Sequence, residues 1–278
     1  MSMPVQEVGQ VQGSTTAPDG VEIAWWATGR GRPLVLVHGT TADHTRWAPV
    51  TERLGVDALV CAVDRRGRGA SGDAEDYDIE REYDDVAAVI DALAGQSGAP
   101  VDLFGHSYGA LCSLEATLRA PNVRKLVLYE PPVLFDDGAA PPDVVERMEA
   151  LLAAGERDEL LATFFRDVVR MPEHELDRAR RLPAWQGRVA AAHTLLREER
   201  ASAAYQFDPD RFTALAVPTL MLLGSDSPPF LQSSTEAVAA ALPDARVEVL
   251  AGQQHVAIDT APDLVSTLVL DFLAEPGS

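Results

Sequence analysis

The chain has 278 residues, 46% of them hydrophobic and 24% charged; that is one domain, or a domain with an insertion, with a core large enough to need neither disulfides nor a structural metal. The formal net charge is −20 and Lys125 is the single lysine. A surface this acidic repels nucleic acid and anionic lipid heads, so neither is an expected partner; the charge says nothing direct about a small-molecule substrate.

The start, Met1-Ser2-Met3-Pro4-Val5-Gln6-Glu7, lacks the basic and apolar parts of a signal peptide. No apolar run nears the ~20 residues that cross a bilayer, so a soluble, cytoplasmic protein is expected. Oligomeric state is left open. Residues 5–28 alternate apolar and polar around Ala17-Pro18-Asp19-Gly20, the pattern of an antiparallel hairpin. Short apolar runs at 34–37, 58–63, 101–104, 125–129, 219–223 and 247–250 read as strands buried on both faces. Cys61 falls in one of these runs and Cys112 in a small-residue helix, both as small core side chains. Between the runs, residues 79–94 repeat apolar positions near a 3.6 period, and 108–119, 235–242 and 262–273 also read as helices. The pattern predicts an α/β fold, a mostly parallel central sheet of about eight strands with helices on both faces.

One region breaks the rhythm. Residues 132–212 carry helix-like stretches at 143–154, 157–169 and 186–199, punctuated by prolines. The expected organisation is a core of residues 1–131 and 213–278 with a helical cap inserted at 132–212.

The strongest chemical signal is Gly105-His106-Ser107-Tyr108-Gly109, preceded by an apolar run and followed by a small-residue helix. G-x-S-x-G in that context sets a serine on a sharp turn, with its hydroxyl clear of the sheet and the glycines letting strand and helix pass closely. A serine hydroxyl needs a base. Of six histidines, His255 alone follows the last predicted strand, where that base is expected. The base in turn needs a carboxylate to fix its tautomer. Asp226, in Gly224-Ser225-Asp226, ends one apolar run; Glu130, in Tyr129-Glu130-Pro131-Pro132, ends another. Asp226 is the first choice and Glu130 the alternative. Oxyanion donors are expected from the backbone N–H of Tyr108 and of Thr40, in the His38-Gly39-Thr40-Thr41 turn. His38 reads as a loop-packing residue. Asp64-Arg65-Arg66-Gly67-Arg68-Gly69-Ala70-Ser71 lacks a phosphate-loop or dinucleotide fingerprint, and reads as a structural loop tied by Asp64 and its arginines. Candidate pocket residues are Trp47, Phe135, Phe164, Phe165, Trp185 and Phe230. No clustered metal ligands and no cofactor motif are present, so none is expected.

Together, His38-Gly39, the Asp64 loop, the Ser107 motif, Asp226 and His255 resemble the α/β-hydrolase superfamily over essentially residues 21–273. The resemblance implies the α/β-hydrolase fold and an ester or lactone hydrolase working through an acyl-serine and a Ser-His-Asp triad. Other superfamily chemistries, carbon–carbon bond hydrolysis of diketones and cofactor-free haloperoxidase activity, are alternatives, as is a non-catalytic ligand-binding member. Epoxide hydrolases and haloalkane dehalogenases of that family carry an aspartate nucleophile, and a serine at 107 argues against them. The family often spaces its acid Gly-x-x-Asp; Gly224-Ser225-Asp226 is one residue shorter, and some family lactonases carry the acid at the position of Glu130.

Overall fold

The structure is a computed structural model that describes residues 11–134, 140–169, 171–181 and 184–276. Eight strands form one sheet: β1 Val11–Thr16, β2 Glu22–Gly29, β3 Arg32–Val37, β4 Ala58–Val63, β5 Val101–His106, β6 Val123–Tyr129, β7 Thr219–Gly224 and β8 Ala245–Leu250. Their order is β1-β2-β4-β3-β5-β6-β7-β8. β2 pairs antiparallel with β1 and with β4, and every later pairing is parallel. The hairpin closes at the predicted turn, where Ala17 N–H donates to Val21 O at 2.8 Å; the part of that predicted hairpin before residue 11 lies outside the described residues.

The apolar runs split by parity, as a pleat requires. Val35, Val37, Cys61, Leu103 and Leu128 face one core, and Leu34, Leu36, Val60, Phe104 and Val127 face the other. Helices α1 (Ala48–Leu54), α2 (Ile79–Ser97) and α3 (Tyr108–Thr117) follow in the first half. α2 and α3 cover the first core, and α1 the second. Both cysteines are buried free thiols, and burial pushes Cys61 up to about 12.

Between β6 and β7 lie α4 (Pro142–Ala153), α5 (Arg157–Thr163), α6 (Glu173–Arg180), α7 (Ala184–Ala191) and α8 (Leu195–Ala204). The stretch expected as one helix over 157–169 passes into a π-turn at Phe164–Val168. The stretch expected over 186–199 is broken by a 3₁₀ turn at Ala192–Thr194. These helices bury their own cluster around Met148, Leu161, Trp185 and Leu195. α9 (Pro229–Ala241), α10 (Ala257–Thr260) and α11 (Pro262–Ala274) complete the chain; α9 joins the first core, α10 and α11 the second. Among the described residues, no helix is long and apolar enough to cross a membrane.

The Asp64 loop ties the layers together. Asp64 accepts from His44 N–H at 2.9 Å, Ala70 N–H at 3.0 Å and Trp26 Nε1 at 3.0 Å, and pairs with His44 Nδ1 at 2.7 Å. Arg65 forks onto Glu82 with two bonds of 2.7 Å and also reaches Glu198 of α8; Arg68 bonds Glu198 and, at 2.7 Å, Thr194. The arginines thus hold the helical insertion as well as their own loop.

Burial raises the Asp64 carboxyl, but its four donors, His44 foremost, outweigh burial and hold it down at about 2. A carboxylate depressed on folding stabilises the protein above its unfolded value near 3.9 and loses that contribution as pH falls through the folded value. Asp64→Asn is therefore expected to cost about 2 kcal/mol at pH 7 and to flatten the fall in stability between about pH 4 and 2. Urea titrations of both proteins across that range check it.

Candidate active site

The carboxyl ends of the neighbouring strands β3, β5, β6, β7 and β8 converge on one edge of the sheet, where open α/β sheets place their ligands. Ser107 stands between β5 and α3 with φ 57° and ψ −129°, a conformation that costs a non-glycine residue about 1–3 kcal/mol. Its neighbours hold it there. Ser107 N–H donates to Tyr129 O at 2.9 Å, and Ser107 O accepts from Ala110 N–H at 2.7 Å. A Cβ on Gly105 would lie 2.6 Å from Ala110 Cα, and one on Gly109 2.3 Å from His38 O. The turn closes only with glycine at both places.

The His38-Gly39 turn runs alongside. A Cβ on Gly39 would lie 2.8 Å from Ser107 Cβ and 3.3 Å from Ser107 Oγ, so this backbone is against the serine. His38 is fully buried, with Nδ1 2.8 Å from Gly39 O and Nε2 accepting from Arg65 N–H at 3.2 Å. Burial, with Arg65 and Arg68 nearby, drives His38 well below its ordinary value. It is a neutral packing residue whose Nδ1–H fixes the turn. Tyr108 is the first residue of α3, where backbone N–H groups have no partner within the helix. Its side chain is buried; its hydroxyl lies 2.8 Å from that of Tyr77. Thr40 is half-buried in the neighbouring turn.

His255 stands between β8 and α10. Tyr129 Oη donates to Gln254 O and accepts from Ala257 N–H at 3.1 Å, bracketing the histidine on both sides. His106 Nε2 donates to His255 O at 2.9 Å, and the two rings are 4.6 Å apart. Burial first, then the neighbouring His255 and Arg46, push His106 well below its ordinary value, so it is a neutral donor.

The carboxylate on His255 is that of Glu130, and the first choice from the sequence is corrected here. Glu130 Oε2 lies 2.5 Å from His255 Nδ1. Its Oε1 accepts from Gly224 N–H at 2.7 Å and from Ser227 Oγ at 2.5 Å. Glu130 is fully buried and has φ 47°. Asp226 is exposed, and its carboxylate accepts from Ser225 Oγ at 2.8 Å. The cause lies in the turn after β7. Ser225 N–H is bonded to Leu250 O at 3.1 Å and Asp226 N–H to Gln253 O at 3.0 Å. The short turn faces Asp226 outward and aims the next side chain, the buried Ser227, at Glu130.

The aromatic pocket candidates separate. Trp47 is fully buried in the second core, 4.9 Å from the Phe104 ring, so it is core under the sheet rather than pocket lining. Phe164 and Trp185 are buried in the insertion's own cluster, Trp185 Nε1 donating to Asp158 at 2.5 Å. Phe165 is partly buried beside them and Phe230 half-buried in the first turn of α9. Phe135 lies outside the described residues. The sequence reading missed Arg46 and Arg188. Arg188 Nη1, on α7, donates to Thr41 Oγ1 at 3.0 Å, and Arg46 pairs with Asp259 at 2.6 Å.

A family model described as "Alpha/beta hydrolase family" matches residues 34–268. The crystal structure of an alpha/beta hydrolase from Sphaerobacter thermophilus superimposes with a TM-score of 0.82 at 35% identity, covering 94% of this chain and 100% of that one. N-formylmaleamate deformylase of Pseudomonas putida is 40% identical over a local match of 107 residues, 38% of this chain and 39% of the relative. (E)-2-((N-methylformamido)methylene)succinate hydrolase of Acinetobacter baylyi is 26% identical over 90% of this chain and 93% of the relative.

If Ser227 holds Glu130 and Asp226 only faces solvent, their substitutions should differ in stability. Ser227→Ala is expected to cost about 1–3 kcal/mol, because a buried carboxylate loses a donor, and Asp226→Asn to stay within about 0.5 kcal/mol. Chemical denaturation of the two variants measures it.

Proposed function

This chain belongs to the alpha/beta hydrolase family, and from that premise we propose that it is a serine hydrolase cleaving a carboxylic acyl bond, an ester or lactone in the first instance, with Ser107, His255 and Glu130 as its triad. The observation that carries the reading is the 2.5 Å contact between His255 Nδ1 and the buried Glu130. An imidazole held by a carboxylate at Nδ1 presents Nε2 as a base, and the strained serine at the end of β5 is the group that needs one.

In this mechanism Ser107 Oγ attacks the acyl carbon as His255 Nε2 takes its proton. Glu130 stabilises the imidazolium. The N–H groups of Tyr108 and Thr40 receive the negative oxygen of the tetrahedral intermediate. His255 then gives its proton to the leaving group, and water, activated by the same nitrogen, releases the acid from Ser107. The deformylase and the (methylformamido)methylene succinate hydrolase, named for acyl–nitrogen substrates, bring amides into the range to be tried.

A fluorophosphonate probe should label the wild-type protein and fail on Ser107→Ala, which is also expected to lose roughly 10³–10⁶-fold in kcat. A panel of p-nitrophenyl esters, lactones and N-acyl amides identifies the bond. Glu130→Gln should lower kcat by about 10³–10⁴-fold, and Asp226→Asn by no more than about threefold, as for an exposed side chain away from the chemistry. Near-wild-type turnover by pure Ser107→Ala, or the larger loss in Asp226→Asn, overturns the proposal.

A further inference from the structure

Resting on the serine hydrolase reading of Ser107, we propose that Arg188 is a specificity-determining residue that binds a carboxylate on the substrate, so that the preferred substrate is an acyl compound bearing a second, anionic carboxyl group. Arg188 comes from α7 and reaches down to the turn that follows β3. Its Nη1 donates to Thr41 Oγ1 at 3.0 Å, and its guanidinium lies over the Phe165 ring at 5.6 Å. Thr41 is two residues beyond Gly39, whose backbone lies against Ser107. Arg188, Thr41, Asp43 and Arg46 line a cleft of about 20 Å³, room for roughly one water. The guanidinium is therefore beside the turn that flanks the serine.

Among the described residues no carboxylate pairs with Arg188. The two that act on it are committed elsewhere. Asp259 pairs with Arg46 at 2.6 Å, and Asp43 accepts from Thr45 N–H at 2.9 Å and Thr45 Oγ1 at 2.5 Å. The buried arginines, Arg46, Arg65, Arg66 and Arg68, are all paired with carboxylates, whereas Arg188, which is partly buried, is not. Burial, reinforced by Arg46, lowers Arg188 to about 10, so it remains charged at neutral pH. A partly buried cation with one neutral hydrogen-bond partner bears part of the cost of burying a charge in the free protein. A planar guanidinium recovers that cost by taking a carboxylate through two parallel bonds. In a chain of net charge −20, long-range attraction does not bring an anion in, so recognition falls to this local charge.

The test compares two p-nitrophenyl esters of equal acyl length, one ending in a carboxylate (mono-p-nitrophenyl glutarate) and one in its neutral methyl ester. Wild type should prefer the carboxylate. Arg188→Gln should reduce the ratio of the two kcat/KM values by about 10–100-fold, chiefly through KM, as the loss of a charge-assisted bond implies; Arg188→Lys should restore part of it. In parallel, glutarate should raise the Tm of Ser107→Ala, and not that of the Ser107→Ala, Arg188→Gln double variant. No carboxylate preference in wild type, or an unchanged ratio in Arg188→Gln, overturns the subsite while leaving a fluorophosphonate-reactive serine hydrolase intact. If neither ester is cleaved and the probe fails to label Ser107, the serine hydrolase reading falls, and the glutarate melting shift still decides whether Arg188 binds a carboxylate.

Discussion

A carboxylate taken wholly out of water costs several kcal/mol unless its lone pairs are met, and Glu130 is met three times, by Gly224 N–H, Ser227 Oγ and His255 Nδ1. Acceptor and donors come from three places in the chain. Glu130 itself follows β6, Gly224 ends β7 and His255 follows β8. One side chain thus pins the ends of three adjacent strands together, and the orientation of His255 follows from it. Tyr129, the residue before Glu130, does the same for the backbone on either side of His255. The site's order is set from β6, at the centre of the sheet's parallel half, rather than from the turn after β7.

The positive-φ residues sharpen that picture. Among the described residues, the non-glycine positions with positive φ are Thr41, Ser107 and Glu130. All three stand at the carboxyl ends of neighbouring strands, and none is a surface turn. Strain of this kind costs about 1–3 kcal/mol per residue and persists only where the surroundings over-determine it. Here the surroundings are two apolar cores closed on both faces of the sheet and hydrogen bonds such as Ser107 N–H to Tyr129 O and Glu130 N–H to Leu222 O. The cores hold three side chains in directions that an unstrained chain would not give them.

Much of this is legible in the sequence, because apolar runs and glycine spacing are local. The run at 34–37 becomes β3, and Gly105 and Gly109 turn out to be steric necessities at the Ser107 turn. The acid was not decidable in the same way. Two carboxylates end two strands, and which one reaches His255 depends on whether the turn after Gly224 presents its second or third residue inward. That is fixed by bonds to Leu250 O and Gln253 O, from a loop remote in sequence. The shortened Gly224-Ser225-Asp226 spacing was the available signal. Trp47 misled for a related reason: its place soon after the His38-Gly39 turn puts it near the site in sequence, while the 3₁₀ turn that carries it folds the indole beneath the sheet. Arg188 carried no signal at all, since a lone arginine in a helical segment is indistinguishable from a solvated one until its contact with Thr41 is seen.

The central claim is that Glu130, not Asp226, orients the imidazole of His255. Proton NMR of the Nδ1–H of His255, assigned with labelled histidine, tests it most directly, because a ring N–H donated to a carboxylate resonates downfield of an ordinary ring N–H. The account predicts such a signal in the wild type, its persistence in Asp226→Asn, and its collapse upfield in Glu130→Gln. A signal that survives unchanged in Glu130→Gln and disappears in Asp226→Asn would contradict it.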